Sequence, residues 1–375
     1  MIYLDNAATT LKKPEEVYKK FNFVWRNIGA NAGRGGHRLS ILASEEIYLT
    51  REKLATLFNA PNPENIAFCY NTTMALNMGI KGVLKEGDGI IITTLEHNSV
   101  YRPVVKTNNP YKVVSADERG IVTPEAIEKA IDSNTKLIAL NHASNVCKSV
   151  CDIEKIGRIS KKHGCVFMVD SAQSAGAFDI DVEKMNIDLL AFAGHKGLYG
   201  PQGTGGLYVS PKVCLNTILE GGSGNESLNE KMPYNMPERL SAGTENAPGI
   251  AALGAGVDFV LKNTPRAILE KENFLLRRFE EKAADIKGIK IYTKDLTGGA
   301  VTSVNLLNKN CVDVSNKLDR DFNISVRSGF HCSALCHKML KTEEVGGTIR
   351  FSFGFFNTKE EIDKAVWALN KISKE

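Results

Sequence analysis

Along roughly the first two thirds of the chain, short apolar runs alternate with segments whose apolar residues recur at helical spacing. A stripe at helical spacing (Ile47, Leu54, Leu57 and Phe58) precedes the first run, and lysine- and glutamate-punctuated segments separate most of the others. The predicted strands are Ile66–Tyr70, Ile90–Thr93, Lys136–Leu140, Cys165–Val169, Leu189–Ala193 and Gly206–Val209. Apolar strands separated by helices are typical of a mainly parallel sheet covered on both faces, so we predict an α/β fold.

The pattern changes after about residue 255. A long charged helix is predicted over Arg266–Ala283, strands over Ile289–Tyr292, Val301–Leu307 and Thr348–Phe353, and a closing helix that begins with the capping box Thr358-Lys359-Glu360-Glu361. We predict a large domain of residues 15–255 and a smaller α+β domain of residues 256–375 together with 1–14. The pattern itself leaves open whether the N-terminal segment packs on the small domain or against the cleft.

Composition and charge narrow the functional classes. The 375 residues include 47 basic and 43 acidic residues, a net charge of +4 that is spread along the chain, so we expect neither a nucleic acid nor a membrane surface as a partner. The N-terminus has no basic head followed by a long apolar run, and we therefore expect a cytoplasmic protein. Eight cysteines without a secretion signal indicate reduced thiols that serve as core filler, ligands or nucleophiles.

Two charged residues close predicted strands of the sheet. Lys196 follows Leu189–Ala193 within a glycine-rich turn, and Asp170 ends Cys165–Val169 with Gln173 just beyond it. In sheets of this kind ligands bind beyond the carboxyl ends of the strands. A lysine that holds an aldehyde and an acid that keeps a ring nitrogen protonated suit pyridoxal phosphate. A lone lysine is more often structural, but its pairing with Asp170 favours the cofactor interpretation.

Two further strand ends carry candidate cofactor ligands. Asn71-Thr72-Thr73 closes a strand and opens a helix, which suits a phosphate site but also an ordinary helix cap. His97 follows another strand, where an imidazole can stack on a ring and relay protons. A single histidine is more often a hydrogen-bonded structural residue, so this candidate depends on its neighbours.

The second domain carries candidate substrate groups. Arg327 and Arg350 suit a carboxylate, which a guanidinium binds through two hydrogen bonds, although a surface ion pair is the commoner fate of an arginine. Cys332, beside His331 in a loop that contains Gly329, is a candidate nucleophile.

Taken together, these motifs carry a family resemblance over nearly the whole chain. The chain resembles class V, fold-type I pyridoxal-phosphate enzymes of the cysteine desulfurase kind, nearest the group II branch. The similar segments are YLDNAATT at 3–10, NTTMALN at 71–77, EHNS at 96–99, SNV at 144–146, VDSAQ at 169–173, GHKGLYGPQG at 194–203, SAGTEN at 241–246 and RSGFHC at 327–332.

The resemblance implies a role for each site residue. Lys196 would form the Schiff base with the cofactor, Asp170 would pair with the pyridine nitrogen and His97 would stack on the ring. Asn145 and Gln173 would face the ring and its phenolic oxygen. The phosphate would be held by Thr72, Thr73 and His195, joined by Thr244 from the partner subunit of a homodimer. The substrate carboxylate would be bound by Arg350 with Arg327 and Asn31 nearby, and Cys332 would accept the sulfur.

The implied activity is that of a cysteine desulfurase. L-cysteine would become L-alanine, and its sulfur would reach Cys332 as a persulfide and then an acceptor protein that serves iron–sulfur or thio-cofactor assembly. A selenocysteine lyase uses the same scaffold with L-selenocysteine and is the closest alternative. An aminotransferase or other lyase of the same fold, and a non-catalytic sulfur-transfer scaffold, are the more distant ones.

Two C-x3-C spacings, Cys147/Cys151 and Cys332/Cys336, add a further hypothesis. We expect no metal site and favour core filling for Cys147, Cys151 and Cys336. The alternative is a four-thiolate site for zinc or an iron–sulfur cluster, or a persulfide relay from Cys332 to Cys336.

Overall fold

The structure is a computed structural model that describes residues 1–33, 35–117, 119–293, 296 and 298–375. Its strands are β1 (Ile2–Tyr3), β2 (Ile66–Cys69), β3 (Gly89–Thr93), β4 (Tyr111–Val114), β5 (Thr135–Asn141), β6 (Val166–Asp170), β7 (Leu189–Ala193), β8 (Gly205–Val209), β9 (Ile289–Ile291), β10 (Val301–Leu306), β11 (Ile324–Ser325), β12 (Arg327–Gly329) and β13 (Thr348–Ser352). Its helices are α1 (Glu15–Asn27), α2 (Arg38–Phe58), α3 (Thr72–Val83), α4 (Asn98–Lys106), α5 (Pro124–Ala130), α6 (Ile153–His163), α7 (Ala247–Asn263), α8 (Pro265–Ala283), α9 (Cys311–Phe322), α10 (Ala334–Met339) and α11 (Lys359–Ser373).

A seven-stranded sheet in the order β2-β8-β7-β6-β5-β3-β4 forms the centre of the larger part. Its neighbours are parallel except at β8, which runs antiparallel to both β7 and β2. Side chains alternate between the two faces of the sheet, and each face has its own hydrophobic core. In β5, Leu137 and Ala139 lie in one core, and Ile138 and Leu140 lie in the other. Because both faces are covered, the strands are apolar throughout, and the predicted mainly parallel α/β sheet is confirmed.

A four-stranded antiparallel sheet in the order β12-β13-β10-β9 has a hydrophobic core of its own. Helix α11 covers that core with Ile362 and Leu369, and the predicted capping box of Thr358 and Glu361 is present at its start. No helix among the described residues is long and apolar enough to cross a membrane.

The first residues of the N-terminal segment pair with strands of the smaller part. Strand β1 pairs in parallel with β11, and Leu4 exchanges backbone hydrogen bonds with Ser325 and Ser352. The pattern analysis did not predict β1, β4, β11 or β12, each of which is four residues or shorter. The predicted boundary at 255/256 falls inside α7, and the division into two domains stays a prediction.

Candidate active site

A cleft lies beyond the carboxyl ends of the parallel strands. Its walls are Asn71, Thr72, Thr73, Leu76, His97, Ser99, Asn141, Ala143, Asn145, Asp170, Ala172, Gln173, His195 and Lys196. Every cofactor residue predicted from the sequence is among them except Thr244. The fold therefore brings together predicted cofactor residues that are separated by up to 124 positions in the chain, from Thr72 to Lys196.

Lys196 sits in a turn with little space around its backbone. A Cβ at Gly194 would lie 2.1 Å from Thr204 Oγ1, and one at Gly197 would lie 2.4 Å from the carbonyl oxygen of Ala175, so both positions require glycine. Burial lowers the pKa of Lys196 to about 8, against an upward effect of Asp170. A substantial neutral fraction of the amine near pH 8 is what both Schiff-base formation and proton abstraction need.

The N-terminal segment holds the carbonyl oxygen of the residue before Lys196. The His195 oxygen accepts from the Thr9 hydroxyl and from the Lys13 ammonium, both at 3.0 Å, and from the Thr10 backbone N–H at 3.2 Å. This segment thereby fixes the backbone from which the Lys196 side chain projects.

Asp170 ends β6 and is 5 % exposed. Burial raises its pKa, while the Ala172 backbone N–H at 2.9 Å and the charge of Lys196 act in the opposite direction. A buried carboxylate with no ion-pair partner within the described residues fits a cationic ring nitrogen.

His97 caps helix α4. Its Nδ1 faces the backbone N–H of Ser99 at 3.1 Å and the Ser99 hydroxyl at 2.9 Å, and that hydroxyl lies 2.8 Å from Thr73 Oγ1. Burial, followed by the charges of Lys196 and Arg327, lowers the pKa of His97 to about 4. The ring is therefore neutral at physiological pH, as a ring that stacks on a cationic cofactor should be.

The start of helix α3 forms a ready anion site. The Asn71 side chain caps the helix through the Met74 backbone N–H, which leaves the first-turn donors facing the cleft. Within the described residues, Thr72 Oγ1 and His195 Nδ1 are buried without a hydrogen-bond partner. Unpaired polar atoms beside a helix N-terminus fit a phosphate group.

The two arginines are directly opposed on neighbouring antiparallel strands, Arg327 on β12 and Arg350 on β13. Arg350 is 1 % exposed; its Nη2 lies 2.5 Å from Asp5 Oδ1 and its Nη1 donates to the Asn145 carbonyl oxygen at 3.1 Å. Its Nε has no partner within the described residues. A buried guanidinium with an unused donor suits a small carboxylate.

Cys332 lies on an exposed loop and, like Arg327 and Arg350, is not among the residues that line the cleft. The Arg327 Nη2 donates to its sulfur at 3.5 Å, and the Asn98 backbone N–H donates to its carbonyl oxygen at 2.7 Å. Both His331 (φ 48°) and Cys332 (φ 58°) adopt left-handed backbone conformations, which side-chain-bearing residues rarely adopt.

The two predicted amide ligands both have protein partners. The Asn145 amide bonds the His331 carbonyl oxygen and the Ser333 hydroxyl, each at 2.8 Å, and Gln173 Nε2 donates to the Ala7 carbonyl oxygen at 2.9 Å. Their facing a cofactor ring stays a prediction.

Asn31 and Thr244 do not line this cleft. Their chain neighbours, Ala32, Gly33, Gly243 and Glu245, line a separate cavity instead. Within one copy of the chain, neither residue reaches the group of Lys196 and Asp170, so their predicted roles depend on a second subunit or on closure of the cleft.

The four-cysteine metal hypothesis finds no support among the described residues. No group of three or more potential metal ligands converges within the described residues. Cys147 and Cys336 are fully buried and share a hydrogen bond, whereas the Cys332 thiol lies at the surface beside Arg327. The C-x3-C spacing would put both sulfurs on one face only in a continuous helix, but α10 begins at Ala334, after the two left-handed residues.

Four residues near the site were missed by the sequence reasoning: Asp5, Lys13, Ser99 and Ser333. The first two lie far from Lys196 in the chain, and nothing in a periodicity analysis places them there. Ser99 stands in the EHNS segment, and its place in that segment was its only signal.

A family model described as aminotransferase class-V matches residues 2–365 of the chain. The chain belongs to the aminotransferase class-V family. It is 35 % identical over 380 residues to a probable cysteine desulfurase of Methanothermobacter thermautotrophicus, covering 99 % of this chain and 94 % of that protein.

Solved structures of family members superpose over the full length. The apo cysteine desulfurase of Thermococcus onnurineus matches with a TM-score of 0.90 at 32 % identity, covering 100 % of this chain and 94 % of the other. The cysteine desulfurase CsdA of Escherichia coli, in its S-sulfonic acid form, matches with a TM-score of 0.85 at 27 % identity, covering 99 % and 94 %. Membership of this fold-type I family makes the chain a pyridoxal-phosphate-dependent enzyme.

Proposed function

We propose that this class-V enzyme is a cysteine desulfurase that converts L-cysteine to L-alanine and takes the sulfur onto Cys332. The observation that carries the proposal is the exposed Cys332 thiol, which has an arginine donor 3.5 Å from its sulfur. Its backbone oxygen accepts from Asn98, the residue after His97 of the Lys196 cleft. An aminotransferase has no use for a nucleophile at this place, because its chemistry ends on the cofactor.

The residues present fit pyridoxal phosphate. Thr72, Thr73 and His195 would hold its phosphate at the start of α3, Asp170 would pair with its ring nitrogen and Lys196 would bind its aldehyde. When bound, this cofactor withdraws electrons from an amino acid and thereby makes its Cα proton acidic.

Three side chains would then have separate roles in the reaction. Arg350 binds the carboxylate of cysteine through its unused donor, and the amine of Lys196 takes the Cα proton. The Cys332 thiolate attacks the substrate sulfur: a sulfur–sulfur bond forms and the Cβ–sulfur bond breaks. One cysteine and one enzyme thiol give one alanine and one enzyme persulfide, so atoms and electrons balance.

The direct test measures alanine and persulfide together. In a single turnover without a reductant, we expect one alanine per site and a mass increase of one sulfur atom on the Cys332 peptide. Turnover that requires a keto acid, or alanine without a persulfide on Cys332, would overturn the proposal in favour of an aminotransferase or another lyase. Parallel assay with L-selenocysteine separates the selenocysteine lyase alternative.

We further propose that the enzyme works as a homodimer and passes its sulfur to an acceptor protein. The exposure of Cys332 supports the second part, since a persulfide there is accessible to another thiol. Exposed apolar side chains on α1 and α2, among them Phe23, Trp25, Ile41 and Tyr48, support the first part. Sedimentation analysis at micromolar concentration tests it, and a fully active monomer would remove the proposed role of the partner's Thr244.

A further inference from the structure

The side chain of Asn145 bridges the two residues that flank Cys332. Its Nδ2 donates to the His331 carbonyl oxygen at 2.8 Å, and its Oδ1 accepts from the Ser333 hydroxyl at 2.8 Å. Asn145 is 6 % exposed and Ser333 is fully buried, so this pair of hydrogen bonds is shielded from water.

The backbone around Cys332 depends on such contacts. His331 and Cys332 are consecutive residues with positive φ, and strained conformations of this kind persist only where their surroundings hold them. Besides the Asn145 bridge, three backbone bonds hold the described loop: Asn98 N–H to the Cys332 oxygen at 2.7 Å, Ser333 N–H to the Phe330 oxygen at 2.9 Å and His337 N–H to the Ser333 oxygen at 3.1 Å. The Asn98 amide therefore reports whether Cys332 is in place.

The same loop that carries Asn145 also contacts the arginine proposed to bind the substrate. The Asn145 carbonyl oxygen accepts from Arg350 Nη1 at 3.1 Å, while its side chain holds the Cys332 loop. Two residues further on, Cys147 contacts Cys336 of α10 in the core. One short segment thus fixes the distance between the carboxylate-binding group and the nucleophile.

We propose that Ser333 is a positioning residue for Cys332 and acts through the amide of Asn145. The inference rests on the proposed role of Cys332 as the nucleophile. Ser333 does not reach the substrate; its hydroxyl orients the amide, and the amide holds both neighbours of the thiol. Loss of the hydroxyl leaves a buried acceptor unpaired and loosens the loop, while the groups that bind cofactor and substrate stay in place.

The first experiment compares the full-length protein with its Ser333→Ala variant by hydrogen exchange and kinetics. Exchange of the Asn98 amide should be about tenfold faster in the variant, because local opening follows the loss of one buried hydrogen bond. The kcat for cysteine should fall about tenfold with KM unchanged, since attack rather than binding is affected. Ser328→Ala, in the same segment but with no part in the contacts of Asn145, should match the parent protein in both measurements.

A double-mutant cycle tests the route through Asn145. In an Asn145→Ala background, Ser333→Ala should add nothing to the exchange rate of the Asn98 amide, because its partner is already gone. Equal effects in both backgrounds, or unchanged exchange and kcat in Ser333→Ala, would overturn the proposal. Thermal unfolding of each variant identifies a global loss of folding. An active Cys332→Ala variant would refute the desulfurase proposal instead. The two failures are distinguishable, because the hydrogen-exchange measurement needs no turnover.

Discussion

The two halves of the candidate site are built in opposite ways. Lys196 and Asp170 follow strands of the large sheet, and their surroundings are dry enough to shift both pKa values. Cys332 lies on an exposed loop in a left-handed conformation, held by a few hydrogen bonds. We call Asp170 and Lys196 with their buried surroundings the wall, and the segment around Cys332 the loop. In the proposed mechanism the proton is transferred at the buried wall, whereas the thiol proposed to pass sulfur to an acceptor lies on the exposed loop.

Removal of the wall's lysine should have the largest effect. Lys196→Ala should lower turnover of every amino acid by about 10⁴-fold or more, because both the Schiff base and the proton acceptor are lost. Steady-state assays and the visible absorbance band of the bound cofactor measure this. Lys161→Ala, an exposed lysine on α6, is the control. An unchanged spectrum in Lys196→Ala would contradict the assignment.

Removal of the loop's thiol should separate the two halves. Cys332→Ala should lower alanine formation from cysteine by about 10³-fold while cysteine still binds and changes the absorbance spectrum, since the wall is intact. Cys214→Ala, at another exposed cysteine, should behave as the parent protein. Parent-level alanine formation in Cys332→Ala would mean that the loop has no chemical role.

Arg350, the arginine proposed to bind the substrate carboxylate, donates to the carbonyl oxygen of Asn145, which lines the cleft and whose side chain bonds the loop. Replacement of Arg350 should weaken the binding of cysteine. Arg350→Lys should lower kcat/KM for cysteine by about 100-fold through KM, because a lysine lacks the Nε–H donor that is proposed to bind the carboxylate. Arg320→Lys, at an exposed position of α9, should leave kcat/KM unchanged. A loss confined to kcat would place Arg350 outside the carboxylate site.

The pH dependence sharpens the description of the wall. With a pKa of about 8 for Lys196, the rate of cofactor uptake by the apoprotein should rise about tenfold per unit between pH 6 and 7 and level off above pH 8. The same lowered pKa predicts how Lys196 affects stability. Between pH 8 and the ordinary lysine pKa of 10.5, the unfolded chain binds more protons than the folded one. The contribution of Lys196 to the free energy of unfolding therefore rises with pH across that window. A rate that still rises steeply at pH 9 would argue for an ordinary lysine.

The sequence predicts the wall better than the loop, for physical reasons. Buried parallel strands leave long apolar runs, so β3, β5, β6, β7 and β8 were predicted to within about two residues, and the charged residues at their ends with them. Strand β4 was missed because its first two residues are exposed and it lies at the edge of the sheet. The contacts of Asp5, Lys13 and Ser333 join distant parts of the chain, and no local pattern encodes such contacts.

The opposed arginines of β12 and β13 have a consequence for how ligands compete. Two like charges facing each other across a ladder repel, and Asp5 balances only one of them. An incoming carboxylate therefore offsets the repulsion between the two arginines in addition to making hydrogen bonds. Simple buffer anions such as acetate should thus act as weak competitive inhibitors toward cysteine, and neutral amino-acid amides should be poor ligands even when their side chains fit.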